Sequence, residues 1–149
     1  MTTDFYNLLL SDCGLALVLL GLSWYVQRMS RGLRGIALWG GAHLVYSLGA
    51  AMLDGTTQEL ERSGQWHSAY WTAGLGGLLS CAGLVGLAWS IVQFVGQRSL
   101  RVYEWALMPL CMGVSLAGWW FWGTVDAQGA AMSATEVLVL LVMITQLRH

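Results

Sequence analysis

The strongest constraint on the fold is a series of five apolar runs, separated by segments that hold most of the charged residues. About 20 apolar residues are enough to cross the hydrocarbon core of a bilayer as an α-helix. The runs are continuous rather than alternating, which favours helices over a membrane β-barrel. We predict one all-α domain, a polytopic membrane helical bundle with about five transmembrane helices. The predicted spans are residues 8–27, 35–53, 69–95, 102–122 and 132–147.

Composition supports a membrane location and argues against other classes of protein. Only 10% of the residues are charged, whereas about a quarter is usual in a soluble domain. The 9 tryptophans and 19 glycines suit helices that anchor at the bilayer surface and pack through small residues. The net charge is −1 and the sequence has no basic patch of the kind that phosphate binding needs, so we expect no nucleic-acid partner. The three cysteines lack C-x-x-C spacing and are interpreted as small buried residues.

The positions of the basic residues predict the orientation of the chain. All seven are arginine, and Arg62 alone lies between the second and third spans. The other six lie together on the opposite side of the predicted bilayer: Arg28, Arg31, Arg34, Arg98, Arg101 and Arg148. Because arginine is enriched in cytoplasmic loops, we predict that the N-terminus is outside and the C-terminus is cytoplasmic.

The second span, within LRGIALWGGAHLVYSLGAAMLD, has a histidine near its centre. His43 has three interpretations: a hydrogen bond between helices, a ligand-binding or sensing residue, and a ligand of haem or metal. Haem normally needs a second axial ligand at similar depth, but His67 lies at the outer edge of the third span and His149 at the C-terminus. Zinc would need more clustered ligands. We therefore predict no metal site and no cofactor.

A second candidate site lies at the outer end of the spans. Glu136 stands about one turn inside the outer end of the fifth span, where hydration is the simplest interpretation. The alternative is an outward-facing pocket that joins it to His67, Asp126 and the outer tryptophans, although an aromatic belt needs such tryptophans in any case. The candidate ligand-binding residues are His43, His67, Trp71, Trp119, Trp120 and Glu136.

Two residues of the fourth span are expected to have structural roles rather than catalytic ones. Glu104, just beyond Arg101, is expected to pair with an arginine at the cytoplasmic edge, and Pro109 is expected to kink the helix. The sequence contains no Ser/His/Asp arrangement, no phosphate-binding loop and no dinucleotide fingerprint. We therefore predict no catalytic residue and no enzymatic activity.

Two segments, LRGIALWGGAHLVYSLGAAM and AWSIVQFVGQRS, resemble the N-terminal multi-pass membrane regions of bacterial GGDEF-type diguanylate cyclases and, more loosely, of membrane sensor kinases. The similarity covers roughly residues 15–122, and the chain has no GGDEF motif and no cytoplasmic output domain. The resemblance implies a sensory module of the bacterial inner membrane that works in pairs. The matching residues are Leu33, Arg34, Ala37, Leu38, Gly41 and Leu44, then Ala88, Phe94, Gly96 and Arg98, with Gln97 inserted.

Three hypotheses for function follow from the sequence. The first is a sensory module that couples a ligand, lipid or partner on the outer side to a cytoplasmic output. The fifth span ends close to His149, and we expect either a severed linker or a natural stop there. The second is a non-catalytic accessory or assembly subunit of a larger membrane complex, and the third is a cofactor-binding or transport protein. The expected partners are the lipid bilayer and a second copy or a larger complex.

Overall fold

The computed structural model describes residues 2–29, 35–122 and 125–147, and this part of the chain is helical without strands. Five of its helices are long, and two short helices lie between them. The prediction of an all-α fold is confirmed. The helices are α1 (Thr2–Met29), α2 (Ile36–Ala51), α3 (Gln58–Arg62), α4 (Trp66–Gly96), α5 (Val102–Trp105), α6 (Leu107–Trp122) and α7 (Val125–Leu147).

Two stretches of the described residues are long and apolar enough to cross a membrane. They are Ile36–Arg62, which joins α2 to α3, and Trp66–Gly96, which is α4. A third stretch, Gly129–Thr145 in α7, is apolar but shorter. These helices support a membrane-associated protein by their length and composition.

The central helix is α4. It packs against α2 with one face and against α6 and α7 with the opposite face, whereas α1 packs mainly against α2. The second span, which the sequence singles out by its histidine, therefore lies beside the centre of the bundle rather than at it. The buried core joins α4, α6 and α7 through Val85, Ala88, Trp89, Leu107, Cys111 and Val139.

Glycine allows α2 and α4 to approach closely. A Cβ atom on Gly83 would lie 2.5 Å from the backbone nitrogen of Tyr46. A Cβ atom on Gly49 would lie 2.5 Å from Ser80 Oγ and 2.7 Å from the carbonyl oxygen of Gly76. Small residues at such contacts increase van der Waals contact between two helical backbones. The close packing predicted from the glycines of the third span is thus used mainly against α2.

The second helix does not end where its apolar run ends. It continues through a π-helical segment, Met52–Thr57, into α3, so most of the predicted polar loop after Leu53 is helical. Thr57 is fully buried, and its hydroxyl donates a 2.7 Å hydrogen bond to the carbonyl oxygen of Met52. This bond serves a carbonyl group in the widened turn. The following residues of α3 are mostly good helix formers, which explains why the helix continues.

The fourth predicted span contains a break in its helical hydrogen bonding beside Ala106, whose backbone stays in the right-handed helical region. α5 ends at Trp105 and α6 begins at Leu107. Pro109 accounts for the break because its ring clashes with a carbonyl group four residues earlier and has no N–H to bond it. That carbonyl belongs to Trp105. The fifth predicted span, 132–147, lies within α7, which begins at Val125.

Candidate functional site

Four ring-bearing side chains meet at the end of the bundle next to the α3–α4 turn. His67, Tyr70 and Trp71 come from the first turns of α4, and Trp119 comes from the last turns of α6. The ring centroid of Trp119 lies 5.0 Å from that of Tyr70 and 5.1 Å from that of Trp71. These distances are typical of packed aromatic pairs. We call these four residues the aromatic cluster.

Hydrogen bonds fix the rings of the aromatic cluster. The indole Nε1 of Trp71 donates to Nε2 of His67 at 3.2 Å, one helical turn away. The indole Nε1 of Trp119 donates to the backbone carbonyl oxygen of Tyr70 at 3.0 Å and so joins α6 to α4. Gly74 makes room for the Trp119 ring, because a Cβ atom there would lie 2.6 Å from Trp119 Cδ2. Both indole N–H groups are therefore used inside the aromatic cluster.

The aromatic cluster is exposed on one side. Trp71 is 55% exposed, and His67 is exposed next to it. With both indole N–H groups occupied, the cluster presents ring faces together with two polar groups, the other imidazole nitrogen of His67 and the Tyr70 hydroxyl. Ring faces bind apolar groups by burial and cations through the ring quadrupole.

The structure brings together three of the six candidate residues from the sequence. His67, Trp71 and Trp119 belong to the aromatic cluster, and Tyr70 is a member that the sequence did not single out. Trp120 lies outside it and is 77% exposed. Glu136 is an exposed residue of α7. The side chain of Asp126, proposed for the same pocket, lies outside the described residues.

His43 has its polar partner within its own helix. Its Nδ1 lies 3.1 Å from Ser47 Oγ, four residues along α2, and its ring meets Trp39 edge to face at a centroid distance of 5.5 Å. The described hydrogen bond of His43 is therefore within α2, whereas one of the three interpretations expected a bond between helices.

The opposite end of the bundle holds an ion pair between Arg98, in the α4–α5 connection, and the buried Glu104 of α5. The Arg98 guanidinium donates two hydrogen bonds to the Glu104 carboxylate, at 2.9 and 2.6 Å. The backbone N–H of Arg101 donates a third, at 2.6 Å. The pairing of Glu104 with an arginine, expected from the sequence, is therefore present. Glu104 is only 2% exposed, which is far more buried than expected at a membrane edge.

The same ion pair is tied to the core through a tryptophan. Trp89 of α4 donates from its indole Nε1 to the backbone carbonyl oxygen of Glu104, at 2.9 Å. Its ring also packs against Trp105 with a centroid distance of 4.7 Å. This arrangement fixes the position of α5 against the end of α4, which is a structural role for Glu104.

No metal centre is formed by the part of the chain described here, since its His, Cys, Asp and Glu side chains make no group of three able to hold an ion. Comparison with protein-family models, with curated proteins and with solved structures found no match to this chain. The geometry of the aromatic cluster therefore carries the functional interpretation.

Proposed function

We propose that the chain is an integral membrane sensory module that binds a ligand, lipid or partner at the aromatic cluster. The supporting observation is that α4 carries His67, Tyr70 and Trp71 at its start and Trp89, bonded to Glu104, towards its other end. A helix of 31 residues is about 46 Å long. One continuous element thus joins the proposed receptor site to the opposite end of the bundle.

The proposed topology has five spans with the N-terminus outside and the C-terminus in the cytoplasm. It follows from the arginine distribution and places the aromatic cluster on the outer side and the Arg98–Glu104 pair on the cytoplasmic side. The resemblance to the membrane regions of diguanylate cyclases supports a bacterial inner-membrane location and a cytoplasmic output. The proposed signal therefore travels inward along the bundle.

The proposed coupling runs through Trp119. Its ring packs on Gly74 and its N–H bonds to Tyr70, so it links α6 to α4 at the receptor end. A ligand can shift an equilibrium only if it binds one conformation better than the other. A ligand that packs on the Trp119 ring in place of Tyr70 and Trp71 would favour a second packing of α6 and α7 on α4.

Hydrogen exchange of the full chain in lipid nanodiscs tests this coupling. Trp119→Ala should accelerate exchange at the start of α4 and also in residues 97–106, at the opposite end. Trp120→Ala is the matched control, since Trp120 is the neighbouring residue and is 77% exposed. Acceleration confined to the α3–α4 end in Trp119→Ala would reject the sensory proposal.

Cysteine labelling tests the proposed orientation separately. Ser63, in the α3–α4 turn, and Ser99, in the α4–α5 connection, are both exposed. In intact cells an impermeant maleimide should label Ser63→Cys, whereas Ser99→Cys should require permeabilisation. The unsubstituted chain measures the background from its own cysteines. The reverse labelling pattern would reject the proposed topology.

The alternative proposal is a non-catalytic accessory or assembly subunit of a larger membrane complex. Gly113 of α6 and Gly129 of α7 favour it, because a Cβ atom at either position would meet nothing within 4 Å. Small exposed residues allow a partner helix to approach closely. This function predicts loss of co-purifying subunits in Gly113→Leu, with hydrogen exchange at residues 97–106 independent of Trp119.

A further inference from the structure

An apolar groove lies between α1 and α2, at the end of the bundle opposite the aromatic cluster. It is lined by Leu17, Leu20, Gly21 and Trp24 of α1 and by Ala37 of α2, and it encloses about 670 Å³ including its open mouth. The α1 residues recur at helical spacing and form one face. From Leu17 to Trp24 this face is about 10 Å long.

Gly21 keeps the groove open. A Cβ atom on Gly21 would meet nothing within 4 Å, whereas one on Gly40, in the facing helix, would lie 2.8 Å from Ser23 Oγ. The two helices are therefore in contact at Gly40 and separated beside Gly21. Leu17 is 57% exposed and Trp24 is 60% exposed, so the walls of the groove present apolar surface outward.

A cation stands at one end of this apolar surface. The Arg28 guanidinium lies over the Trp24 ring, with Cζ 5.7 Å from the ring centroid, which is a cation–π contact. Next to it, Gln27 Oε1 accepts a 2.8 Å hydrogen bond from the backbone N–H of Ala37. This bond ties the two helices together at the charged end. Arg28 is also the first of three arginines in the segment QRMSRGLR.

We propose that this groove binds an anionic phospholipid, with one acyl chain against Leu17, Gly21 and Trp24 and the phosphate at the Arg28 guanidinium. An arginine matches a phosphate in charge and geometry, and clustered arginines at a membrane surface attract anionic lipids. The proposal rests on the membrane insertion proposed above but not on the sensory role, since the aromatic cluster lies at the other end.

Charge favours a lipid over a second copy of the chain. Two copies inserted with the same orientation would bring their Arg28 side chains to the same membrane level. An interface through the two α1 helices would then place like charges beside each other, which opposes association. An anionic lipid neutralises the same charges.

Native mass spectrometry of the full chain in detergent tests the site with two added lipids of identical acyl chains. The wild-type chain should retain phosphatidylglycerol over phosphatidylcholine by about fivefold, the effect of one arginine at an anionic headgroup. Gly21→Leu fills the groove, because a Cβ atom at Gly21 meets nothing within 4 Å, and it should lower retained phosphatidylglycerol by about fivefold or more. Gly14→Leu is the matched control on α1, since a Cβ atom there also meets nothing within 4 Å.

The charge is tested by a second pair of variants. Arg28→Gln should remove the preference for phosphatidylglycerol, whereas Arg101→Gln, an exposed arginine near the same end of the bundle, should keep it. Circular dichroism confirms the helix content of each variant. Arg28→Gln keeps the test decisive if Gly21→Leu fails to fold, because Arg28 is an exposed surface residue.

Three results would overturn the lipid site. They are equal retention of the two lipids by the wild-type chain, equal retention of phosphatidylglycerol by Gly21→Leu and Gly14→Leu, and a wild-type dimer that Gly21→Leu dissociates. The last result would assign the groove to a second copy. Failure of membrane insertion in alkaline extraction would instead reject the proposed function, so the two failures are distinguishable.

Discussion

Arg98 and Glu104 form a bidentate ion pair in which the two partners differ in exposure. The carboxylate side chain is 1% exposed, whereas the guanidinium side chain is 26% exposed. Removing one partner of a buried pair leaves the other charge without compensation. Because only Arg98 reaches solvent, the consequences of the two removals should be unequal.

Arg98→Gln should therefore destabilise the chain more than Glu104→Gln does. The first change leaves a buried carboxylate, and we expect a loss of about 2–4 kcal/mol in the free energy of unfolding. The second leaves a guanidinium that water can hydrate, and we expect about 1–2 kcal/mol. Denaturant titration in detergent micelles, followed by tryptophan fluorescence, measures both values.

The double variant and a neighbouring arginine complete this comparison. Arg98→Gln combined with Glu104→Gln should be more stable than Arg98→Gln alone, since no buried charge remains. Arg101→Gln, at an exposed position, should change stability by about 0.5 kcal/mol or less. Equal losses in the Arg98 and Glu104 single variants would contradict the expected asymmetry.

The sequence predicted the helices well where apolar runs and helices coincide. It placed the end of the second run near Leu53 because polar residues begin there, but a helix continues as long as its carbonyl groups are bonded. Buried Thr57 supplies one such bond in the π-helical segment, and this depends on packing against α4. Pro109 signalled the break before α6, although the sequence did not show that Val102–Trp105 forms a separate short helix, α5.

The candidate site was predicted in part for a similar reason. Opposite chain directions bring the start of α4 and the end of α6 to one end of a bundle, which groups Trp71 with Trp119. Hydropathy does not distinguish Trp119 from Trp120, because both are tryptophan. Their side chains differ by about 100° in direction around the helix, so they have different neighbours. Likewise, a histidine near a membrane centre does not reveal whether its partner is Ser47 in the same helix or a group on another helix.

A glycine at the α2–α4 contact and an exposed glycine of α6 should respond differently to substitution by alanine. Gly83→Ala should destabilise the chain by about 1–3 kcal/mol, because the new Cβ atom would overlap the backbone of Tyr46 and force α2 away from α4. Gly113→Ala meets no neighbouring atom and should be neutral or slightly stabilising, since alanine favours helix over glycine. Thermal unfolding in detergent compares the two variants, and a loss as large in Gly113→Ala would contradict this use of the glycines.

The aromatic cluster predicts that two adjacent tryptophans differ in their contribution to packing. Trp119→Phe removes the donor that bonds to the Tyr70 carbonyl and leaves a small gap above Gly74, so we expect a loss of about 1–2 kcal/mol. It should also weaken the near-ultraviolet circular dichroism, because Trp119 and Trp71 rings lie 5.1 Å apart. Trp120→Phe changes a ring that is 77% exposed and should leave both measurements close to wild type. Equal effects in the two variants would mean that Trp119 acts only as part of an aromatic belt. A belt residue anchors at the membrane surface, and its contact with a particular neighbouring ring does not affect stability.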